Sequence, residues 1–307
     1  MSSPGVIEKL MSHLKERRCQ SRIVSIESVR ELHDEIHKRR AQGLFNDKFY
    51  ETYLSGFSFD YSESLPGARS LIVVAIPKPQ TRVVFTWQGK PLPSIIPPTY
   101  VGYRSTREEM GQYLSTVLNP AGYRLAQTAL PLKLLAVRCG LAKYGRNNIS
   151  YVDGMGSFHQ LAAYFSDLPC LEDTWGQPVK LERCENCRAC IVKCPTDAIM
   201  ADRFLLRAER CLTFLNELPG NFPEWLDQAS HNCLVGCMRC QTVCPENKPF
   251  RRWIEEGPEF SEEETALILE GVSLDHLPHP TVEKLWRLDL LADYYDVIPR
   301  NLCALAH

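Results

Sequence analysis

The 307-residue chain has nothing near the roughly 18 uncharged apolar residues that a membrane-spanning helix needs; its longest apolar run, Leu71 to Ile76, is strand-sized. No membrane span is expected. The N-terminus lacks the apolar core of a secretory signal, and Arg17-Arg18 runs into Cys-Gln-Ser-Arg, which excludes a twin-arginine leader. Basic charge is not in excess either: the formal net charge is −2, so nucleic-acid binding would need a local patch. No G-x-G-x-x-G, Walker loop or H-E-x-x-H occurs, which removes those signatures of dinucleotide, nucleoside triphosphate and zinc-protease sites. Low-complexity segments are absent, and the only internal repetition lies in the cysteines.

Cysteine is what the chain has in quantity. Seven of its thirteen cysteines fall into two runs, Cys184-x2-Cys187-x2-Cys190-x3-Cys194-Pro195 and Cys237-x2-Cys240-x3-Cys244-Pro245. This is the pattern of two 4Fe–4S clusters, in which three closely spaced thiolates hold one cubane and the fourth, before proline, crosses to the other. Cluster one then takes Cys184, Cys187, Cys190 and Cys244. Cluster two has Cys194, Cys237 and Cys240 and needs a fourth ligand, for which Cys211 and Cys233 are both available. Disulfides and paired zinc knuckles are the competing readings, and the two Cys-Pro closures weigh against zinc. Thirteen cysteines without an export signal point to a reducing cytoplasm in which thiols serve metals.

A hydrophobic content of 44% with 23% charged residues supports one large domain plus a smaller one. Residues 1–177 read as an α/β domain, 178–250 as a ferredoxin-like domain and 251–307 as a helical tail. Ser25 opens a helix signal with Val29, Leu32 and Ile36 at helical spacing and Gly43 as its stop. Arg69 to Ile76 reads as a buried strand, with Thr81 to Trp87 as its hairpin partner, and Pro91 to Pro98 as a loop. Helices are expected over Thr106–Leu118, Leu130–Cys139 and Leu285–Tyr295, and around His159, taken as a structural histidine. Between Gly140 and Ser157 lies a glycine-punctuated segment around a short strand, Ile149–Val152, of the kind that makes turns or approaches ligands closely.

With these motifs in place, residues 60 to 250 resemble the epoxyqueuosine reductase family, cobalamin-dependent iron–sulfur enzymes related to reductive dehalogenases. The resemblance rests on Cys184 to Ile199, Arg210-Cys211-Leu212 and Gly236-Cys237-x2-Cys240-Gln-x-Val-Cys244-Pro245-x-Asn247. It implies that Cys211 completes cluster two, leaving Cys233 spare. Gly140-Leu-Ala-Lys-Tyr-Gly145-Arg146-Asn147 and Gly156-Ser157 are similar to the family's corrinoid-side loop. The resemblance thus implies Arg146, Asn147, Ser150, Gly156 and Ser157 as cofactor-binding residues. The implied fold is α+β, a nitroreductase-like cobalamin domain carrying a bacterial-ferredoxin-type domain. Where the family has its catalytic aspartate, this chain reads Ala126-Gln127-Thr128, without an acid, which implies a divergent substrate.

The expected activity is reduction of a substrate at a bound cobalamin fed by the two clusters, with electrons from a low-potential ferredoxin- or flavodoxin-type donor and a small-molecule or tRNA substrate. Tyr103, in a Gly-Tyr-Arg turn, and Asp153, in Val-Asp-Gly, are the candidate proton donors. The alternative is a two-cluster electron-transfer or corrinoid-reducing protein that serves a partner and has no substrate of its own.

Overall fold

The computed structural model describes residues 3–289 and 291–306. They form two compact units, one of residues 1–77 and 105–187, the other of residues 78–104 and 188–307. The units are therefore not consecutive stretches as the sequence reading had them, and the reason lies in the pairing of one strand.

In the first unit a four-stranded antiparallel sheet has the order Gln20–Ser25, Ser70–Pro77, His159–Ser166, Leu125–Gln127. The run expected as a buried strand sits inside this sheet, and its Leu71 to Ala75 have no exposed surface, which is why it lacks polar alternation. Val6, Leu10 and Leu14 recur at helical spacing on helix Ser3–Glu16 and share a core with Ile72, Val74, Tyr164 and the Met110–Leu114–Leu118 face of helix Tyr103–Leu118. Removing a side chain such as Leu114 would cost about 2–5 kcal/mol.

The second unit is built on a mixed sheet of order Lys90–Ile96, Gln80–Trp87, Ile254–Phe260. Gln80–Trp87 does not form the expected hairpin with Ser70–Pro77; it pairs antiparallel with Lys90–Ile96 and parallel with Ile254–Phe260. That parallel pairing draws residues 78–104 into the unit of the C-terminal segment. The expected proline loop is largely a strand, with Pro91 and Pro93 tolerated because it is an edge. Phe85 stacks on Phe260 at 4.6 Å within a core that includes Leu234, Ile268, Leu285, Ile298 and Leu302. A capping box between Ser261 and Glu264 starts helix Glu262–Leu269.

Three further expectations shift. Ser25 ends a strand, and the helix it was to open runs Ser28–Ala41 from a Glu27 cap, with Gly43 just beyond it at φ 64°. His159 begins a strand, because its segment is claimed by the sheet centre. The expected Leu285–Tyr295 helix is divided: His279–Arg287 ends before Asp289, whose φ is 55°, and residue 290 lies outside the described residues. Among the described residues, no helix is long and apolar enough to cross a membrane.

Candidate iron–sulfur and glycine-loop site

In the first unit, the glycine-punctuated segment is held to the chain that leads into Cys184. Lys143–Tyr144 and Ser150–Tyr151 form a two-stranded ladder, and Tyr144 exchanges main-chain bonds with Val179 and Leu181, at 2.8 and 2.9 Å. Gly145 is glycine for steric reasons, since a Cβ there would meet Asn147 Oδ1 and stand 2.5 Å from Tyr151 Cε2. The ladder carries Arg146 to the first cysteines. Its main-chain N–H donates to Cys184 Sγ at 3.4 Å, its Nε donates to the Cys187 carbonyl at 3.3 Å, and its terminal nitrogen donates to the Cys184 carbonyl.

The other predicted loop residues turn inward. Asn147, 2% exposed, donates from Nδ2 to Tyr151 Oη at 3.0 Å. The His159 Nδ1 donates to the Gly156 carbonyl at 3.1 Å, which leaves Nε2 as acceptor for the Ser150 hydroxyl at 3.2 Å. Burial, only partly opposed by the Gly156 bond, pushes the His159 pKa down to about 4. Ser157 is buried, and Gly156 takes a positive φ of 57°. Asp153 is exposed, and its carbonyl accepts from Gln20 Nε2 at 2.5 Å. Gln127 ends the edge strand Leu125–Gln127 and, with Ala126, Glu108, Gln112 and Tyr164, lines a cavity of about 650 Å³ in the first unit.

Within the second unit, Tyr103 is half-buried at the start of its helix and its N–H donates to the Tyr100 carbonyl at 3.2 Å. Three of the cysteines assigned to cluster two sit within electrostatic reach of one another. Arg210 Nε donates to the Thr196 carbonyl at 2.8 Å and Arg207 N–H to the Ala198 carbonyl at 2.8 Å, which lays the chain before Cys211 against the chain after Cys194. The Cys211 thiol is pushed up to about 11, first by desolvation, then by Cys237 and, less, by Cys194. Cys237 is raised by desolvation and by Cys194. Cys233 is fully buried and is raised by desolvation and by Cys237. The approach to Cys237 is rigid: Gly236 has φ 71°, a Cβ there would lie 2.5 Å from Tyr100 Oη, and its carbonyl accepts from Asn216 Nδ2 at 2.8 Å.

The chemistry of this donor set fits iron–sulfur clusters: thiols grouped with N–H donors aimed at sulfur, in a partly desolvated setting. Among the described residues, no three His, Cys, Asp or Glu side chains converge on one metal-ion position. A cubane, with irons at separate corners, asks instead for thiolates spread around it.

Fold and cysteines together define a mixed helix-and-strand protein carrying a double-cluster iron–sulfur segment. Residues 183–247 match the family model described as a 4Fe–4S double cluster binding domain, and two 4Fe–4S clusters are the cofactors of this segment. The chain is similar to epoxyqueuosine reductases. It is 32% identical to that of Aliivibrio fischeri over 148 residues, 47% of this chain and 38% of the relative. It is 36% identical to that of Cyclobacterium marinum over 123 residues, 40% of this chain and 38% of the relative. With the Escherichia coli enzyme it shares 29% over 194 residues, 57% of this chain and 50% of the relative. The matches thus span half or less of these curated relatives. The Bacillus subtilis epoxyqueuosine reductase, solved with its catalytic loop swung out of the active site, has the same fold, with TM-score 0.70, 21% identity and coverage of 99% of this chain and 82% of that one. The Streptococcus thermophilus enzyme gives TM-score 0.69 at 17% identity, covering 97% and 80%.

Sequence reasoning did not single out His159 as the partner of Ser150, because its contact spans a turn and a strand that no motif marks. It also missed Asn232, whose side chain reaches Cys237 from five residues upstream.

Proposed function

We propose that the chain is an iron–sulfur reductase that receives single electrons from a low-potential donor and delivers them through two 4Fe–4S clusters to a bound corrinoid, where a substrate is reduced. The observation that carries the reading is Arg146, which ties the glycine loop to Cys184 through an N–H···S bond and to the Cys184 and Cys187 carbonyls. The loop that resembles the family's corrinoid-side loop is thereby coupled to a cluster ligand. Similarity to epoxyqueuosine reductases supports the same direction. We assign Cys184, Cys187, Cys190 and Cys244 to one cluster and Cys194, Cys211, Cys237 and Cys240 to the other; the bonds that lay the chain before Cys211 against the chain after Cys194 support Cys211 over Cys233 as the fourth ligand.

A corrinoid, when bound, supplies a cobalt centre able to pass electrons to substrate. Asn147 and Ser150 do not fit as its direct contacts, since both side chains are buried and bonded inside the unit. They shape the loop together with the buried Gly156 and Ser157, leaving the half-buried Arg146 as the residue of the implied set able to face a ligand. Gln127 can donate and accept hydrogen bonds but cannot deliver a carboxylic proton, so proton supply falls to another group. Asp153, exposed, and Tyr103, half-buried, are the proposed donors. One solved epoxyqueuosine reductase holds an epoxyqueuosine-modified tRNA stem loop; an RNA or a small-molecule substrate divergent from it is the class proposed here.

Anaerobic purification with iron and cobalt quantified, followed by spectra after adding hydroxocobalamin and a low-potential reductant, tests the reading. About eight irons per chain and one retained, reducible corrinoid are expected. Full iron with no corrinoid retention would sink the corrinoid step and favour a two-cluster electron-transfer protein.

A further inference from the structure

We propose that Asn232 is a positioning residue that raises the reduction potential of the cluster held by Cys237; the proposal rests on the ligand assignment given above for cluster two. The Asn232 Nδ2 donates to Cys237 Sγ at 3.3 Å and to the Ser230 carbonyl at 3.1 Å. Its Oδ1 accepts the main-chain N–H of Met238 at 2.9 Å and the Cys233 thiol at 3.2 Å. These partners decide the amide orientation. A backbone N–H can only donate, so the oxygen must face Met238, and the nitrogen must therefore face the sulfur. Both amide hydrogens and the oxygen are in use, so the side chain is held in one pose. The neighbouring Cys233, Leu234 and Val235 are fully buried, which keeps water from competing for the sulfur on that side.

The direction of the effect follows from charge. When a cluster takes up an electron, its thiolates become more negative, and an N–H aimed at one of them stabilises the reduced form more than the oxidised form. A desolvated setting enlarges that difference. Cys184 receives an N–H from the main chain of Arg146, a donor that only proline would remove, whereas Cys237 receives, besides a main-chain N–H from Arg239, one from a replaceable amide. Asn232 thus gives the chain an adjustable control over one cluster.

Redox titration of the anaerobically purified full-length protein with dithionite as electron donor, followed by electron paramagnetic resonance, is the test. Asn232→Asp keeps the oxygen that faces Met238 and replaces the N–H on sulfur by a second oxygen. One of the two midpoints should fall so that the reduced-to-oxidised ratio at fixed potential drops at least tenfold, equivalent to ~59 mV for a one-electron couple. The other midpoint should stay, with iron at the wild-type level. Asn232→Ser, which withdraws the donor without adding charge, should give a smaller fall in the same midpoint. Unchanged midpoints in both variants at full iron would overturn the proposal. Loss of iron in both would overturn it as well, since Asn232 would then be a support for the ligand loop and not a control on potential. Wild-type protein with far fewer than about eight irons would instead bring down the two-cluster reading, a failure visible before any variant is made.

Discussion

The glycine loop of the first unit and the Asn232–Cys244 segment of the second both contain hydrogen-bonded polar side chains, buried in the loop and half-buried at Asn232, but they direct them differently. In the loop, Asn147, Ser150 and His159 bond to their own neighbours, while Arg146 reaches outward to Cys184 and Cys187. In the cysteine segment, Asn232 aims its amide N–H at the Cys237 sulfur while its oxygen accepts the Met238 main-chain N–H. The first arrangement preserves a backbone shape and the second modulates sulfur chemistry. Substitutions in the loop should therefore register as stability, and those in the cysteine segment as iron content or potential.

The largest effect that would sharpen this contrast is Cys211→Ser, expected to remove about half of the iron, one cubane of two, while Cys233→Ser leaves iron unchanged. Iron analysis showing the reverse would transfer the fourth ligand to Cys233. Next comes Gly145→Ala, whose added Cβ must displace Asn147 and Tyr151. An overpacking cost of about 1–3 kcal/mol should lower the thermal midpoint with iron retained; an unmoved midpoint would show that the loop is not packed as described.

A pH effect of intermediate size should also belong to the loop. His159 is neutral in the fold, with its pKa lowered to about 4 from 6.5. The unfolded chain binds the extra proton first, so the stability it contributes is complete above pH 6.5 and is lost as pH falls toward 4. Each pH unit inside that window is worth at most about 1.4 kcal/mol. Denaturant titrations of the wild type and His159→Gln should differ in slope between pH 6.5 and 4; parallel curves would mean that His159 is not buried neutral. His231, also lowered to about 4, titrates in the same window and stays as common background in both proteins.

The smallest expected change is from Arg146→Gln. The main-chain N–H on Cys184 survives, and only the two carbonyl bonds of the guanidinium are lost. Iron should stay at the wild-type level with a modest loss of stability. Loss of iron on this change would erase the distinction between main-chain and side-chain control.

Much of the site was legible in the sequence. The spacing of Cys184 to Cys194 and Cys237 to Cys244 is itself a chemical demand, because sulfurs two residues apart on a tight turn are suited to adjacent corners of one cube. The strand at Leu71–Ile76 was legible for a similar reason, since a continuous β-branched run suits a sheet centre. His159 was misread because Ser-Phe-His-Gln-Leu-Ala has no local preference strong enough to outweigh pairing with both Ser70–Pro77 and Leu125–Gln127. The proline-rich edge strand was misread because proline excludes a central strand but not an edge, and edge position is not written locally.

The sequence by itself determined the metal chemistry, the buried strand, and the loop whose glycines permit tight packing, since each follows from residue type and short-range spacing. Only the tertiary structure decided that Gln80–Trp87 pairs with Ile254–Phe260, that Arg210 and Thr196 bring Cys211 toward Cys194, and that Asn232 faces Cys237. These depend on which distant backbone satisfies which donor, a choice set by the whole fold, because a buried N–H or C=O must find a partner somewhere and local sequence does not say where.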